Sequence, residues 1–230
     1  MYSRKNELLY LDTLDGSYEL IPQNPTMPPY EVVIVFSGIE HALINSAYNA
    51  RVDECKAAAY ALKAFSGMPY EKIVDTRLRD VPYEVFAQYK DRLPANWRKR
   101  AEHYFSENER VKQGVAAWRA GDMTRFGRII FDSGNSSINS YEAGSPELKA
   151  LHEIALRTDG VYGGRFSGAG FKGCYMALID PAYRESVTRA FTDKYLNAFP
   201  AMKSRFSIHY CHSADGVNLD SLAANCHKEA

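Results

Sequence analysis

The sequence predicts an α+β fold: an antiparallel sheet of four strands backed by helices, with a helical insertion and a separate N-terminal hairpin. Three observations predict it. The run Val32-Val33-Ile34-Val35-Phe36 is continuously apolar and suits a buried central strand. Two more strand-like runs, Val161 to Arg165 and Cys174 to Ile179, flank a short glycine-rich connection and so should pair with each other. Between the first run and that pair the spacing is helical, and a last strand-like segment follows the final helical stretch.

In chain order, Glu7 to Asp12 and Ser17 to Ile21 read as a hairpin turning at Asp15-Gly16, since Asp-Gly between two short apolar runs is a strong hairpin signal. A proline-rich connector, Pro22 to Pro29, leads to the central strand. His41 to Phe65 carries Tyr48, Val52, Cys55, Ala59 and Leu62 on one helical stripe and stops at Gly67 and Pro69. Pro94 suits the first turn of a long helix whose stripe is Trp97, Ala101, Tyr104, Phe105, Asn108, Val111, Val115 and Trp118, ended by Gly121. Ser145 as N-cap and Pro146 at N1 start another helix with Leu148, Leu151, Ile154 and Ala155 on its apolar face. Pro181 opens a helix to about Phe199, and Arg205 to Tyr210 reads as the closing strand. With split connections this is a ferredoxin-like layer carrying a helical insertion. The expected division is a hairpin and connector over 1–30 and the α+β domain over 31–230.

Composition narrows the function classes. With 230 residues, 46% of them hydrophobic and 13% aromatic, the chain can bury a substantial core. Lys+Arg and Asp+Glu both number 28, and this balance argues against a nucleic-acid or anionic-membrane partner. No apolar run is long enough to span a bilayer and no signal-peptide core opens the chain, so the expected location is cytoplasmic. Cys55, Cys174, Cys211 and Cys226 sit singly, which points to buried thiols and not to a disulfide framework. His209, Cys211, His212, Cys226 and His227 cluster near the C-terminus without matching a structural zinc spacing, so no metal site is expected.

The most telling segment is Gly160 to Cys174, in which six of fifteen residues are glycine. It reads as strand, glycine loop, strand. Glycine carries no Cβ penalty at positive φ, so such a loop can aim backbone N–H groups at an anion, or can simply be a tight turn. No helix opens after it and no Gly-Lys-Ser/Thr occurs, which excludes the dinucleotide and Walker patterns.

The loop has company in a fixed order: Ser37-Gly38-Ile39-Glu40-His41, Tyr48-Asn49-Ala50-Arg51, Arg100 to Val111, Phe126-Gly127 with Asp132-Ser133, Tyr141-Glu142, and Pro146-Glu147-Leu148. This series resembles the C-terminal half of galactokinases, members of the GHMP superfamily of small-molecule kinases. Gly114-Val115, Ala117-Trp118, Ser136-Ser137-Ile138 and the wording of Gly160 to Cys174 are most similar to galacturonokinases. The resemblance implies the GHMP kinase C-terminal domain fold, with the hairpin as a remnant of the N-terminal lobe. It also implies a sugar or sugar acid as substrate, with ATP and Mg held mainly by that other lobe. The family's sugar-recognition motif, phosphate loop and catalytic Asp belong to its N-terminal half and have no counterpart here. The expectation is therefore a sugar-1-kinase portion, inactive alone, or completed by an N-terminal lobe. A sugar-binding or regulatory module and a homodimerising half-domain are the alternatives.

The resemblance assigns no catalytic residue to this chain. Tyr48 matches the family Tyr that hydrogen-bonds the sugar, although a core tyrosine on the helix stripe would look the same. Arg51, one turn on, would position Tyr48 or pair with Glu54. Ser167, Gly168, Ala169, Gly170 and Phe171 match the motif that closes on the phosphates and sugar, where galactokinases have glycine in place of Ala169. Lys172 also replaces a glycine, and as an ammonium it could meet the carboxylate of a uronic acid or lie in solvent. Glu102, His103 and Glu107 match no catalytic position of the family and read as helix surface or packing.

Overall fold

The computed structural model describes residues 2–40, 45–168, 170 and 173–217, with the backbone alone at 45–47. The predicted helix start at His41, the glycine-motif residues Ala169, Phe171 and Lys172, and the pair Cys226 and His227 lie outside the described residues.

The elements are β1 (Glu7–Leu11), β2 (Tyr18–Pro22), β3 (Glu31–Phe36), α1 (Asn45–Ser66), α2 (Tyr83–Tyr89), α3 (Ala95–Ala120), α4 (Met123–Asn139), α5 (Pro146–Leu156), β4 (Val161–Phe166), β5 (Cys174–Ile179), α6 (Arg184–Ala198) and β6 (Ser207–Cys211). The main sheet has the order β4-β5-β3-β6 with every neighbour antiparallel, which is the ferredoxin-like order interrupted by α1 to α5. β3 is central, as its apolar run predicts, but its two faces differ. Val33 and Val35 are buried, while Val32, Ile34 and Phe36 are half-buried. Register places Val33 opposite Ala177 and Val35 opposite Tyr175, and this face packs under Leu148, Leu151 and Ala155 of α5 and Val187, Phe191 and Tyr195 of α6.

The helical insertion has its own core of Ala58, Ala59, Leu62, Leu78, Val81, Phe86, Leu93 and Ala101. A third cluster joins the hairpin to α3 and α4 through Ile21, Met27, Val115, Trp118 and Met123, where the Trp118 indole N–H donates to the Ile21 and Pro22 carbonyls at 3.2 Å each. β1 and β2 pair as predicted, yet Asp15-Gly16 is not a two-residue turn. Asp12 and Ser17 close a longer loop, and only Gly16, at φ 76°, takes the left-handed position.

Three further corrections concern helices. The helix over 123–139 is not among those that the sequence patterns name. α4 forms there because it packs against the edge strand β4 closer than any side chain allows. A Cβ at Gly127 would fall on the Tyr162 carbonyl, and one at Gly163 on the Gly127 carbonyl. The helix thereby packs closely on the edge strand of the sheet. The predicted stripe of α3 is broken in the middle: Asn108 is exposed and Val111 is 47% exposed, since the first half of α3 packs on α1 and α2 and the last turns pack on α4 and the hairpin. Tyr48 leaves the α1 stripe and is 44% exposed. Among the described residues no helix is long and apolar enough to cross a membrane.

Candidate functional site

β4 and β5 are joined at a neck where the Ser167 N–H donates to the Cys174 carbonyl at 2.9 Å. Above it, Gly168, Gly170 and Gly173 have φ of 64°, 76° and 90°, a region L-residues rarely occupy. They serve different ends. A Cβ at Gly168 or Gly173 would meet nothing within 4 Å, so these two glycines allow the backbone path and leave open space beside it. A Cβ at Gly170 would overlap the Phe166 ring, so that glycine permits close packing.

The loop is held at both of its shoulders. Ser37 donates to the Gly173 carbonyl from its N–H at 3.1 Å and from its hydroxyl at 2.8 Å, while the Gly173 N–H donates to Ile39 at 3.4 Å. Ser37 is in turn fixed by the Tyr195 hydroxyl, which donates to its carbonyl at 2.6 Å. On the other shoulder the Ser145 N–H donates to the Gly170 carbonyl at 2.8 Å. The Ser145 hydroxyl caps α5 by accepting from the Leu148 N–H, as its sequence position predicts.

Tyr48, the other residue that the resemblance singles out, stands exposed on α1. The phenol of Tyr141 is pushed up to about 12 by burial, with Cys55 and Tyr48 adding to the effect. Arg51 pairs with Glu54 at 3.4 Å, as expected, and also donates from Nε to the Tyr141 carbonyl at 2.8 Å. Tyr141 to Ser145 therefore connects the Tyr48 helix to the glycine loop. Sequence reasoning noted Tyr141-Glu142 as a motif but not this role.

What fixes the connection is a cationic clamp. Arg100 is fully buried and pairs with Glu54 at 2.5 Å and Glu142 at 2.7 Å, and it also donates to the Ser140 carbonyl. Lys99 reaches Glu142 at 2.6 Å and Arg51 reaches it at 3.5 Å. Glu142 sits at φ 54°, and hydrogen bonds from Lys99 and then Arg100 lower its carboxyl to about 2. A carboxylate so held stays ionised and is no proton carrier near neutral pH. Charge pattern alone reveals only the Arg51–Glu54 pair of the clamp, because the contacts that tie it to Ser140, Tyr141 and Glu142 and join Arg100 to Glu54 span 40 to 90 residues of sequence.

His103 is half-buried against the Ser136 hydroxyl at 2.9 Å, and burial lowers its imidazole to about 4. Glu102 pairs with Arg98 and Glu107 with Arg110, in keeping with the packing role read for all three. Among the described residues no group of three or more His, Cys, Asp or Glu could hold a metal ion.

Residues 115–197 match the family model described as GHMP kinases C terminal. The chain is similar to the galacturonokinase of Arabidopsis thaliana, 37% identical over 217 residues that cover 92% of this chain and 50% of that protein. It is similar to the galactokinase of Roseiflexus sp. (strain RS-1), 34% identical over 221 residues, 94% of this chain and 52% of that protein. Among solved structures, Lactococcus lactis galactokinase complexed with galactose superposes with a TM-score of 0.77 at 28% identity, over 93% of this chain and 52% of the other. The chain spans about half the length of the curated relatives it matches. The α+β fold and the kinase resemblance read from the motifs are both borne out.

Proposed function

We propose, from the match of residues 115–197 to the GHMP kinase C-terminal model, that this chain is the C-terminal portion of an ATP-dependent sugar-1-kinase with galactose or galacturonate as phosphoryl acceptor. The observation that carries the reading is the glycine loop, pinned through Ser37 and Ser145 and tied by the Tyr141 to Ser145 connection to the helix that exposes Tyr48.

ATP supplies the phosphoryl group and Mg neutralises its charge. In this reading both are held mainly by an N-terminal lobe, and residues 1–30 are the part of that lobe present here, joined to a C-terminal domain over 31–230. Phosphoryl transfer depends chiefly on positioning and electrostatic stabilisation. The chain's own contribution is of that kind. Tyr48 hydrogen-bonds a sugar hydroxyl, and the loop at Ser167, Gly168, Ala169, Gly170 and Phe171 brings backbone N–H groups to the phosphate side. Lys172 faces the uronate carboxylate and favours galacturonate. In this reading the family's catalytic Asp belongs to the N-terminal lobe, so the chain by itself does not turn over, and the setting is cytoplasmic.

The test is ATP-dependent phosphorylation of galactose and galacturonate by the chain alone and by the chain joined to the N-terminal lobe of a galacturonokinase. Activity only in the joined protein, with a preference for galacturonate that Lys172→Gly erases, is the expected result. No turnover in the joined, folded protein would overturn the kinase reading, and an unchanged preference in Lys172→Gly would overturn the role of that lysine.

A further inference from the structure

Where the α3 stripe breaks, a groove of about 220 Å³ opens between β1, α3 and α4. Leu8, Val111, Val115, Phe126, Ile129 and Ile130 form its apolar walls, and Glu107, Arg110, Ser133 and Arg165 close one end. The polar end is a connected network. Arg110 Nε donates to Glu107 Oε1 at 2.5 Å, the Ser133 hydroxyl donates to Glu107 Oε2 at 2.7 Å, and Arg165 Nη1 donates to the Ser133 hydroxyl at 2.6 Å while lying 3.6 Å from Glu107. Arg110 Nη2 donates to the Ser106 hydroxyl at 2.7 Å.

Two guanidinium groups thus face one carboxylate. The single negative charge of Glu107 leaves the network with a net positive charge. Among the described residues Arg110 Nη1 and Arg165 Nε and Nη2 donate to no acceptor. A guanidinium presents five N–H donors in a planar fork suited to a carboxylate. Apolar walls leading to a cationic end complement an amphipathic anion. They do not complement a sugar, whose hydroxyls would lose water against Val111, Val115 and Ile129 without gaining partners.

We propose that this groove is a binding site for a small aliphatic monocarboxylate, its chain lying along α3 and α4 and its carboxylate on Arg110 and Arg165. The groove is smaller than the ~300–1,000 Å³ of drug-sized sites, which suits a short unbranched ligand. Among the described residues the groove takes no lining from 167–173, and the proposal stands whether or not the chain takes part in phosphoryl transfer. Glu107 opposes the anion, and it is also the group that holds both the Ser133 hydroxyl and Arg110 in place.

The test is titration of the 230-residue chain with octanoate, octanol and octylamine, read by isothermal calorimetry and by saturation-transfer NMR. Octanoate binds saturably, and octylamine binds at least tenfold more weakly. Arg110→Gln weakens octanoate about tenfold and leaves octanol unchanged. Val111 is half-exposed, so Val111→Trp folds and fills the groove, and it abolishes octanoate binding; circular dichroism checks the fold of both variants. Equal binding of octanoate and octylamine, octanoate binding unaltered in folded Val111→Trp, or no saturable octanoate signal would each overturn the proposal.

Discussion

Gly127 and Gly16 show how differently one residue type can be required. At Gly16 the backbone is left-handed at φ 76° with no atom within 4 Å of a would-be Cβ, so Gly16→Ala meets only the conformational penalty of about 1–2 kcal/mol. Gly127 sits in an ordinary helix, and its Cβ would fall on the Tyr162 carbonyl of the strand beside it. Backbone cannot swing aside as a side chain can, so the helix or the strand must shift. Gly127→Ala should lower stability by about 3 kcal/mol, at or above the usual range for overpacking. Urea denaturation of the two variants checks the ranking; a smaller loss at Gly127 than at Gly16 would show that α4 and β4 are not held this close. Composition marks both residues as loop formers, and only the neighbour across the gap separates them.

At the scale of elements, α5 illustrates what local sequence fixes. Ser145, Pro146 and the spacing of Leu148, Leu151, Ile154 and Ala155 give its start and its buried face, and the structure agrees at each position. Ser145 has a second task that its cap chemistry does not disclose: its backbone N–H holds the Gly170 carbonyl. The two roles separate experimentally. Ser145→Ala removes the cap hydroxyl and should cost about 1 kcal/mol, while the N–H to Gly170 remains and the Ser145 amide keeps its protection in hydrogen exchange. Loss of that protection in Ser145→Ala would mean that the cap, and not the backbone bond, holds the loop shoulder. α3 is the opposite case. Its length and its Gly121 end follow from sequence, but a single continuous stripe was the wrong expectation. A helix of about 39 Å reaches two cores in turn, and the part between them lines a groove.

For the whole molecule, acid is the natural probe, since the half-buried His103, the buried His152 and the Glu142 clamp act on global stability with a defined sign. Burial lowers His103 from 6.5 to about 4 and lowers His152 as well, the latter held between Asn135 and Tyr175. In the unfolded chain these imidazoles take up protons first, so the unfolded state binds more protons between pH 6.5 and 4 and stability falls as pH drops through that window. Glu142 has the depressed carboxyl of an ion pair. Its contribution is complete above its unfolded value of 4.5 and is lost as pH falls toward 2. The urea midpoint should therefore decline from pH 7 to pH 4, with a further loss below pH 4. His103→Asn should flatten the first decline in part, His152 supplying the remainder. A midpoint independent of pH between 7 and 4 would mean that neither imidazole is buried as described.

The sequence by itself determined the strands, the hairpin, the boundaries of α3 and α5, the glycine loop and the kinase resemblance. Each rests on a signal within a few residues: apolar period, cap, proline, glycine or motif wording. Tertiary structure decided the rest. It made a helix of the glycine- and serine-rich 123–139 segment, because a sheet edge in close contact outweighs local propensity. It turned Tyr48 outward from its stripe, because α1 has a core to pack against only farther along. It also gathered Arg51, Glu54, Lys99, Arg100 and Glu142 into the clamp that connects the Tyr48 helix to the loop. Apart from Arg51–Glu54, these ion pairs join residues far apart in the chain and leave no periodic trace, and only the folded backbone brings those charges within reach of one another.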